Sequence, residues 1–110
     1  MKRLLPLIGY AMFLVYLSSL QNPPNPIPYL TDKMYHVLLY MGFGIVLRLA
    51  LSFTSKPTLI TLTVGTAFGI SDEFHQMFVP NRTASVYDLL ADVMGLVLSQ
   101  ILIYIWVRFA

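Results

Sequence analysis

The sequence predicts an all-α membrane protein, an antiparallel four-transmembrane-helix bundle that forms one domain over residues 1–110. Two observations support this prediction. Of the 110 residues, 57% are hydrophobic and only 11% are charged, whereas about a quarter of the residues in an ordinary soluble domain are charged. A spanning helix also needs roughly 20 apolar residues. Four such helices use most of the chain and leave no room for a separate soluble domain.

The composition also excludes several classes of function. The chain contains no cysteine, which excludes disulfides, thiolate metal sites and cysteine nucleophiles. Its formal net charge is only +2 and its basic residues form no cluster, so nucleic acid is not an expected partner. The expected partner is the membrane lipid bilayer, and the composition leaves the oligomeric state open.

Apolar segments predict four helices, over residues 4–20, 32–53, 57–79 and 85–108. The first segment follows two basic residues, as the hydrophobic stretch of a signal peptide does. Its length and the lack of an Ala-x-Ala-like cleavage site favour an uncleaved helix instead. A stiff loop follows at 21–28, where four prolines fix the backbone angles and remove amide donors.

The ends of the other helices have local signals. Thr31 is a suitable N-cap for the second helix, and Pro57 suits the first turn of the third helix. Pro80 then stops that helix. The run Ser85-Val86-Tyr87-Asp88 matches a capping box at the start of the fourth helix. Because the loops between the later helices are short, consecutive helices should be antiparallel neighbours.

The basic residues predict the orientation, because cytoplasmic loops retain Lys and Arg. With both termini in the cytoplasm, Lys33 and Arg82 lie outside, and five basic residues lie on the cytoplasmic side: Lys2, Arg3, Arg48, Lys56 and Arg108. We therefore expect a multi-pass protein of the inner membrane with both termini cytoplasmic. In this orientation all five acidic residues and both histidines lie at the outer end.

The spacing of these residues predicts a shared polar site at the outer end. Residues three or four apart lie on one face of a helix, which gives one polar face on each of three helices: Asp32 with His36; Asp72, Glu73 and Gln76 with Gly65 and Gly69; and Asp88 and Asp92 with Gly95 and Ser99. A charged residue in a spanning helix costs about 2.5–3.5 kcal/mol even on a lenient scale. The three faces should therefore meet around a partly hydrated cavity.

Some of these residues have simpler explanations than a site. Asp32 and Asp88 fall in first helical turns, where the helix dipole and free amides favour a carboxylate. Lys33 can extend its ammonium to the membrane interface. The GxxxG run at 65–69 is typical of close helix packing.

Three deeper residues resist such explanations. Glu73, Gln76 and Asp92 lie far from any helix start. Arg82 is the expected counter-charge to the carboxylates among them, and its guanidinium is also suited to bind a phosphate through two parallel hydrogen bonds.

The order of these motifs resembles the signature of VanZ-like membrane proteins. The resemblance covers about residues 31–98, and the matching positions are Asp32-Lys33-x-x-His36, Glu73-x-x-Gln76, Pro80-x-Arg82, Ser85-x-x-Asp88 and Gly95. Position 92, where that pattern favours asparagine, is Asp92 here. The resemblance implies a bacterial cell-envelope protein related to a determinant of teicoplanin-type glycopeptide resistance. It does not name a reaction.

Two functions remain open at this point. In the first, the protein binds or handles an anionic envelope lipid or a polyprenyl-linked precursor, whose phosphate meets Arg82 and Lys33. The expected ligand-binding residues are then Asp32, Lys33, His36, Glu73, Gln76, Arg82, Ser85, Asp88 and Asp92. Five acidic residues against two basic ones make this end net negative, which favours a cationic partner or a metal instead.

The alternative is an intramembrane hydrolase or transferase that acts on such a lipid. Glu73 and His36 are then the candidate general acid and base, or they join nearby carboxylates as ligands to a divalent metal. A proton or ion pathway and a structural subunit are further alternatives. The sequence specifies neither a metal nor a reaction.

Overall fold

The computed structural model describes residues 4–19, 32–80 and 86–109, without the side chain of Asp32. These residues form four α-helices: α1 Leu4–Ser19, α2 Asp32–Ala50, α3 Pro57–Gln76 and α4 Val86–Phe109. No strand occurs within these ranges. The predicted all-α class is therefore confirmed for the described part of the chain.

Helix α2 ends three residues before the predicted end, at Ala50. The chain then continues in a turn, in which the amide of Thr54 donates to the carbonyl of Leu51 at 3.0 Å. The hydroxyl of Thr54 donates to the same carbonyl at 2.8 Å. Such side-chain bonds to nearby backbone compete with helical ones, and the residue before Pro57 avoids helical angles. Together these effects end α2 early.

Helix α3 likewise ends before the predicted residue 79, at Gln76. Pro80 explains this end, because a proline ring clashes with the carbonyl four residues earlier in a helix. The intervening residues form tighter hydrogen bonds to the carbonyl three residues back, for example from the amide of Val79 to Gln76 at 3.2 Å.

Helices α2 and α3 form the centre of the bundle. Each contacts the other three helices, whereas the backbones of α1 and α4 do not approach each other closely within the described residues. The most extensive contact is between α2 and α4. These two helices run parallel, because hydrogen bonds join His36 to Asp92 and Gln100 to Gly44, at the same sequence separation of 56 residues.

Helix α3 runs antiparallel to both α2 and α4. Against α2, Tyr40 bonds to Asp72, and Arg48, further along α2, bonds to the earlier residue Thr58. Against α4, position 65 faces Leu96 and position 69 faces Asp92. Consecutive helices of this central group therefore alternate in direction, as the short connections predict.

Glycines allow α4 to approach its neighbours closely. A Cβ atom at Gly95 would lie 2.9 Å from the backbone nitrogen of Met41, so α4 rests directly on the backbone of α2. A Cβ at Gly65 would lie 2.7 Å from the Leu96 side chain, and one at Gly69 would lie 3.3 Å from Leu89. The GxxxG run of α3 is therefore a packing surface for α4.

The bundle buries polar residues and exposes apolar ones. Among the described residues, ten polar or charged residues are buried against seven hydrophobic ones, and 29 large hydrophobic residues are exposed. By length and composition, one helix of the described part, α4, can cross a membrane, and α1 is an apolar helix of 16 residues. The exposed apolar surface is opposite to the pattern expected for a protein in water.

Candidate functional site

Six buried polar or charged residues meet at the end of the bundle where α2 and α4 begin and α3 ends. They come from all three helices, and each is at most 9% exposed: His36 from α2; Asp72, Glu73 and Gln76 from α3; and Asp88 and Asp92 from α4. We call these six residues the polar cluster. The three faces expected from sequence spacing thus point inward, toward one another.

A chain of charged contacts follows the interface between α2 and α4. His36 Nδ1 lies 2.7 Å from Asp92 Oδ1, and its other ring nitrogen, Nε2, lies 3.9 Å from Asp88 Oδ2. The Lys33 ammonium donates a hydrogen bond to the other oxygen of Asp88. The parallel direction of the two helices creates this ladder, since Lys33 and His36, three residues apart on α2, meet Asp88 and Asp92, four residues apart on α4.

Asp88 is therefore more than a helix cap. Its side chain is only 4% exposed and contacts both a lysine and a histidine of α2. Burying a carboxylate is costly unless it is paired, and the contacts with Lys33 and His36 supply that pairing. Asp88 in turn holds the Lys33 side chain, which remains 47% exposed, at the edge of the polar cluster.

Tyr40 is a site residue that sequence reasoning missed. It is only 1% exposed, and its hydroxyl donates to Asp72 Oδ2 at 3.3 Å. Its position four residues after His36, on the same helix face, was an available signal. A tyrosine in a membrane helix is equally compatible with an interfacial position, so the spacing alone did not distinguish the two.

His36, Glu73 and Asp92 form the tightest group in the polar cluster. Each offers one ligand atom, and these atoms lie within 4.8 Å of one another. Asp92 is fully buried, and within the described part of the chain its Oδ2 atom has no hydrogen-bond partner. Gly69 of α3 packs beside this oxygen, and a Cβ at that position would lie 3.4 Å from it. This group has the donor types of a metal site.

An apolar groove adjoins the polar cluster on the outer surface of α2 and α4. Its volume is about 630 Å³, and the side chains that line it are Lys33, Met34, Val37, Leu38, Tyr87, Leu90, Ala91 and Met94. Among the described residues, Lys33 is the only charged one in this lining. Because Lys33 also contacts Asp88, it links the groove to the polar cluster.

A second buried polar group lies deeper along α4 and was not expected as part of a site. Gln100 Nε2 donates to Ser99 Oγ at 2.9 Å and to the Gly44 carbonyl at 3.3 Å. Thr61 of α3 is also fully buried. Ser99 was expected on the polar face of α4, but Gln100 lies one residue beyond that strict spacing. These bonds strengthen the contact between α2 and α4.

The remaining candidates are placed as follows. His75 is exposed, and its Nε2 lies 3.0 Å from the hydroxyl of Ser19, outside the polar cluster. Arg82, Ser85 and the side chain of Asp32 lie outside the described residues, so their expected roles stay predictions. The expected pairing of Glu73 with Arg82 also stays a prediction.

Comparison with known proteins places the chain in a family. Searches of curated proteins and of solved structures gave no match. The model of one family, VanZ/LLP1, matches residues 4–108. That match includes all four helices with the polar cluster and the groove, and it agrees with the resemblance found in the motifs. Since nearly the whole chain is covered, the protein belongs to the VanZ/LLP1 family.

Proposed function

We propose that this VanZ-like envelope protein binds an anionic, phosphate-bearing lipid, with the lipid chain in the groove between α2 and α4. The observation that supports the proposal most directly is the groove itself. Its accessible wall is almost entirely apolar, and Lys33 is the one charged residue among the described side chains that line it. An apolar chain attached to a negative headgroup has the complementary chemistry.

The groove has a suitable size for such a chain. Its volume of about 630 Å³ falls within the roughly 300–1,000 Å³ that ligand pockets occupy. It opens on the outer surface of the bundle, so a lipid can enter sideways from the bilayer. Its lining is mainly Met, Leu and Val, and the flexible Met34 and Met94 side chains can adapt to chains of different shape.

Lys33 is the proposed contact for the headgroup. Its side chain is 47% exposed although it bonds to Asp88, and it is one of the residues that line the groove. Among the described residues, the lining holds no acidic side chain. A phosphate at the end of a lipid in the groove would therefore compete with Asp88 for the Lys33 ammonium, and this contact would offset part of the negative charge of the outer end.

The proposal includes four membrane-spanning helices and cytoplasmic termini. At 1.5 Å per residue, the four helices are about 24–36 Å long, comparable with a hydrocarbon core of about 30 Å. The 29 exposed large hydrophobic residues support contact with lipid on several helices. Arg48 and Lys56 lie around the end of α2 away from the polar cluster, which agrees with a cytoplasmic location of that end.

The proposal extends to the cell envelope of bacteria. The resemblance to VanZ suggests a role in teicoplanin resistance. Binding of a lipid or lipid-linked precursor in the groove would be the physical basis of that role. In this scheme the bound molecule is a component of the inner membrane exposed at its outer leaflet, where Lys33 lies in the proposed orientation.

Photo-crosslinking tests this function directly. The purified protein in nanodiscs is labelled with phosphatidylglycerol, phosphatidylcholine or polyprenyl phosphate, each carrying a photoreactive group in its chain, and labelled residues are mapped by mass spectrometry. We expect an anionic lipid to label groove residues of α2 and α4 above the level of phosphatidylcholine. The two anionic probes distinguish a phospholipid from a polyprenyl carrier.

Matched variants test the two parts of the proposed lipid site. Met94→Trp should fill the groove and reduce labelling, whereas Met12→Trp, at a more exposed site on α1, should not. Lys33→Ala should weaken the preference for anionic lipid about tenfold, the effect of losing one hydrogen bond to a charged group. Lys56→Ala is its control. Equal labelling of α1 and the groove, unchanged by Met94→Trp, would refute the proposal.

A further inference from the structure

We propose that His36, Glu73 and Asp92 form a binding site for one divalent cation of the Zn²⁺ or Mn²⁺ type. The site joins α2, α3 and α4, because each helix supplies one of the three ligands. It does not depend on a lipid in the groove, since none of these three residues lines the groove.

The distances between the donor atoms are close to those of a metal centre. The ligand atoms of the three residues lie within 4.8 Å of one another. Bonds of about 2.0–2.2 Å from a zinc ion to nitrogen or oxygen place neighbouring ligand atoms roughly 3.0–3.5 Å apart. Side-chain rotations that move these atoms by roughly 1.5 Å therefore complete the geometry without a change of the backbone.

Asp92 provides independent support for a ligand at this position. It is fully buried, and its Oδ2 atom has no hydrogen-bond partner in the described ranges. A buried carboxylate oxygen without a partner is costly, and a cation bound to Oδ2 removes that cost. Position 69, which packs beside this oxygen, is glycine, and a Cβ there would lie 3.4 Å from Oδ2, at contact distance.

The donor set selects the kind of cation. Two carboxylates and one imidazole combine hard oxygen with a nitrogen ligand, which suits Zn²⁺ and Mn²⁺. Mg²⁺ and Ca²⁺ prefer oxygen ligands alone. The positive charge also compensates carboxylates that the fold brings together in a poorly hydrated interior, where unpaired charges are strongly unfavourable.

A further carboxylate, that of Asp88, lies behind the proposed histidine ligand. His36 Nδ1 is the ring nitrogen that contacts Asp92, and the other ring nitrogen, Nε2, lies 3.9 Å from Asp88 Oδ2. Asp88 is thus in position to orient the imidazole, as carboxylates behind metal-bound histidines commonly do. Through Asp88 the metal site connects to Lys33, so a bound cation would stabilise the edge of the groove.

Metal analysis of the purified protein tests this inference. The protein carries an affinity tag without histidine, is stripped with chelator, and is titrated with Zn²⁺, Mn²⁺ and Mg²⁺ while bound metal and thermal unfolding are measured. We expect about one equivalent of Zn²⁺ or Mn²⁺ and a higher unfolding temperature, because a ligand that binds only the folded state stabilises it. Mg²⁺ should bind more weakly.

Variants identify the ligands. Asp92→Asn and Glu73→Gln keep the side-chain size but remove a carboxylate ligand. Losing a residue that only hydrogen-bonds to a metal ligand already weakens metal binding about tenfold or more, so each variant should weaken metal binding at least about tenfold. Thr61→Val is the matched control, because Thr61 is also a buried polar residue of α3, valine keeps its shape, and Thr61 lies outside the polar cluster.

Two results would overturn the inference. One is wild-type protein that binds no near-stoichiometric metal and shows no metal-dependent rise in unfolding temperature, a measurement that needs no variant. The other is folded Asp92→Asn protein that binds metal as tightly as the wild type does. Neither result bears on lipid crosslinking in the groove, so the metal site and the lipid site can fail separately.

Discussion

Replacing Gly95 by alanine should separate α2 from α4 and disturb the polar cluster. The new Cβ would lie 2.9 Å from the Met41 backbone nitrogen and 3.1 Å from Tyr40 Cβ. Both distances are shorter than ordinary van der Waals contacts. Because one of these atoms belongs to the backbone of α2, a rotation of one side chain cannot relieve the overlap, and the helices themselves must shift.

The size of the effect follows from two opposing contributions. Overpacking a well-packed interior costs about 1–3 kcal/mol, and a backbone clash should fall in the upper part of that range. Alanine in place of glycine in a helix interior contributes about 0.5–1 kcal/mol in the opposite direction. We therefore expect Gly95→Ala to lower the free energy of unfolding by about 1–2 kcal/mol.

A graded series of variants provides the controls. Gly65→Ala would contact the flexible ends of the Leu96 side chain at 2.7 Å, and Gly69→Ala would contact Leu89 at 3.3 Å. Gly9→Ala would contact nothing within 4 Å and should be neutral or stabilising. The free energy of unfolding of each variant is measured with denaturant in detergent and followed by circular dichroism. The loss of stability should be largest for the alanine at position 95, then at 65, then at 69, and smallest at 9.

The functional consequence provides a second measurement. Position 95 is three residues after Asp92 on α4, so a shift of α4 moves the carboxylate away from His36. Gly95→Ala should therefore weaken both metal binding and lipid crosslinking more than Gly9→Ala does. If Gly95→Ala is as stable as Gly9→Ala, or if it unfolds earlier but keeps full binding, the close contact of α2 and α4 does not position the site as described.

Two further predictions concern the orientation and the central ion pair. A reporter that works only in the cytoplasm should be active when it is fused after Arg108, because the distribution of basic residues predicts that this end lies inside. Activity of a periplasmic reporter at the same position would show that the predicted orientation is wrong. In chelator-treated protein, His36→Ala and Asp92→Ala should each be strongly destabilising, because each removes the 2.7 Å contact between two buried groups. In a double-mutant cycle measured by denaturant unfolding, their costs should differ from additivity by about 0.5–3 kcal/mol, and strictly additive costs would show that the 2.7 Å contact contributes little.

The sequence alone was sufficient to locate the helices and their inward faces. Apolar composition required helices in lipid, and prolines limited where they begin and end. The four-residue spacing of Asp88 and Asp92 placed both on one face of α4, which the structure buries. Such features depend on residues close together in the chain, so local rules of backbone geometry and helical periodicity are enough to predict them.

The sequence did not determine which faces meet. Helical spacing shows toward which side of its own helix each of His36 and Asp92 points. It does not show that these two residues, 56 positions apart in the chain, meet. The parallel contact of α2 with α4 sets that relation, and it depends on Gly95 resting against the α2 backbone. The pairing of His36 with Asp92 is therefore a property of the folded bundle.

The groove and the role of Tyr40 also required the tertiary structure. Met34 and Met94 are ordinary apolar residues in their own helices, and they become walls of one groove only when α2 and α4 pack side by side. Tyr40 is compatible with a lipid interface until Asp72 of α3 is placed against its hydroxyl. Local spacing determines the direction of a side chain, whereas packing of helices distant in sequence determines what that side chain contacts.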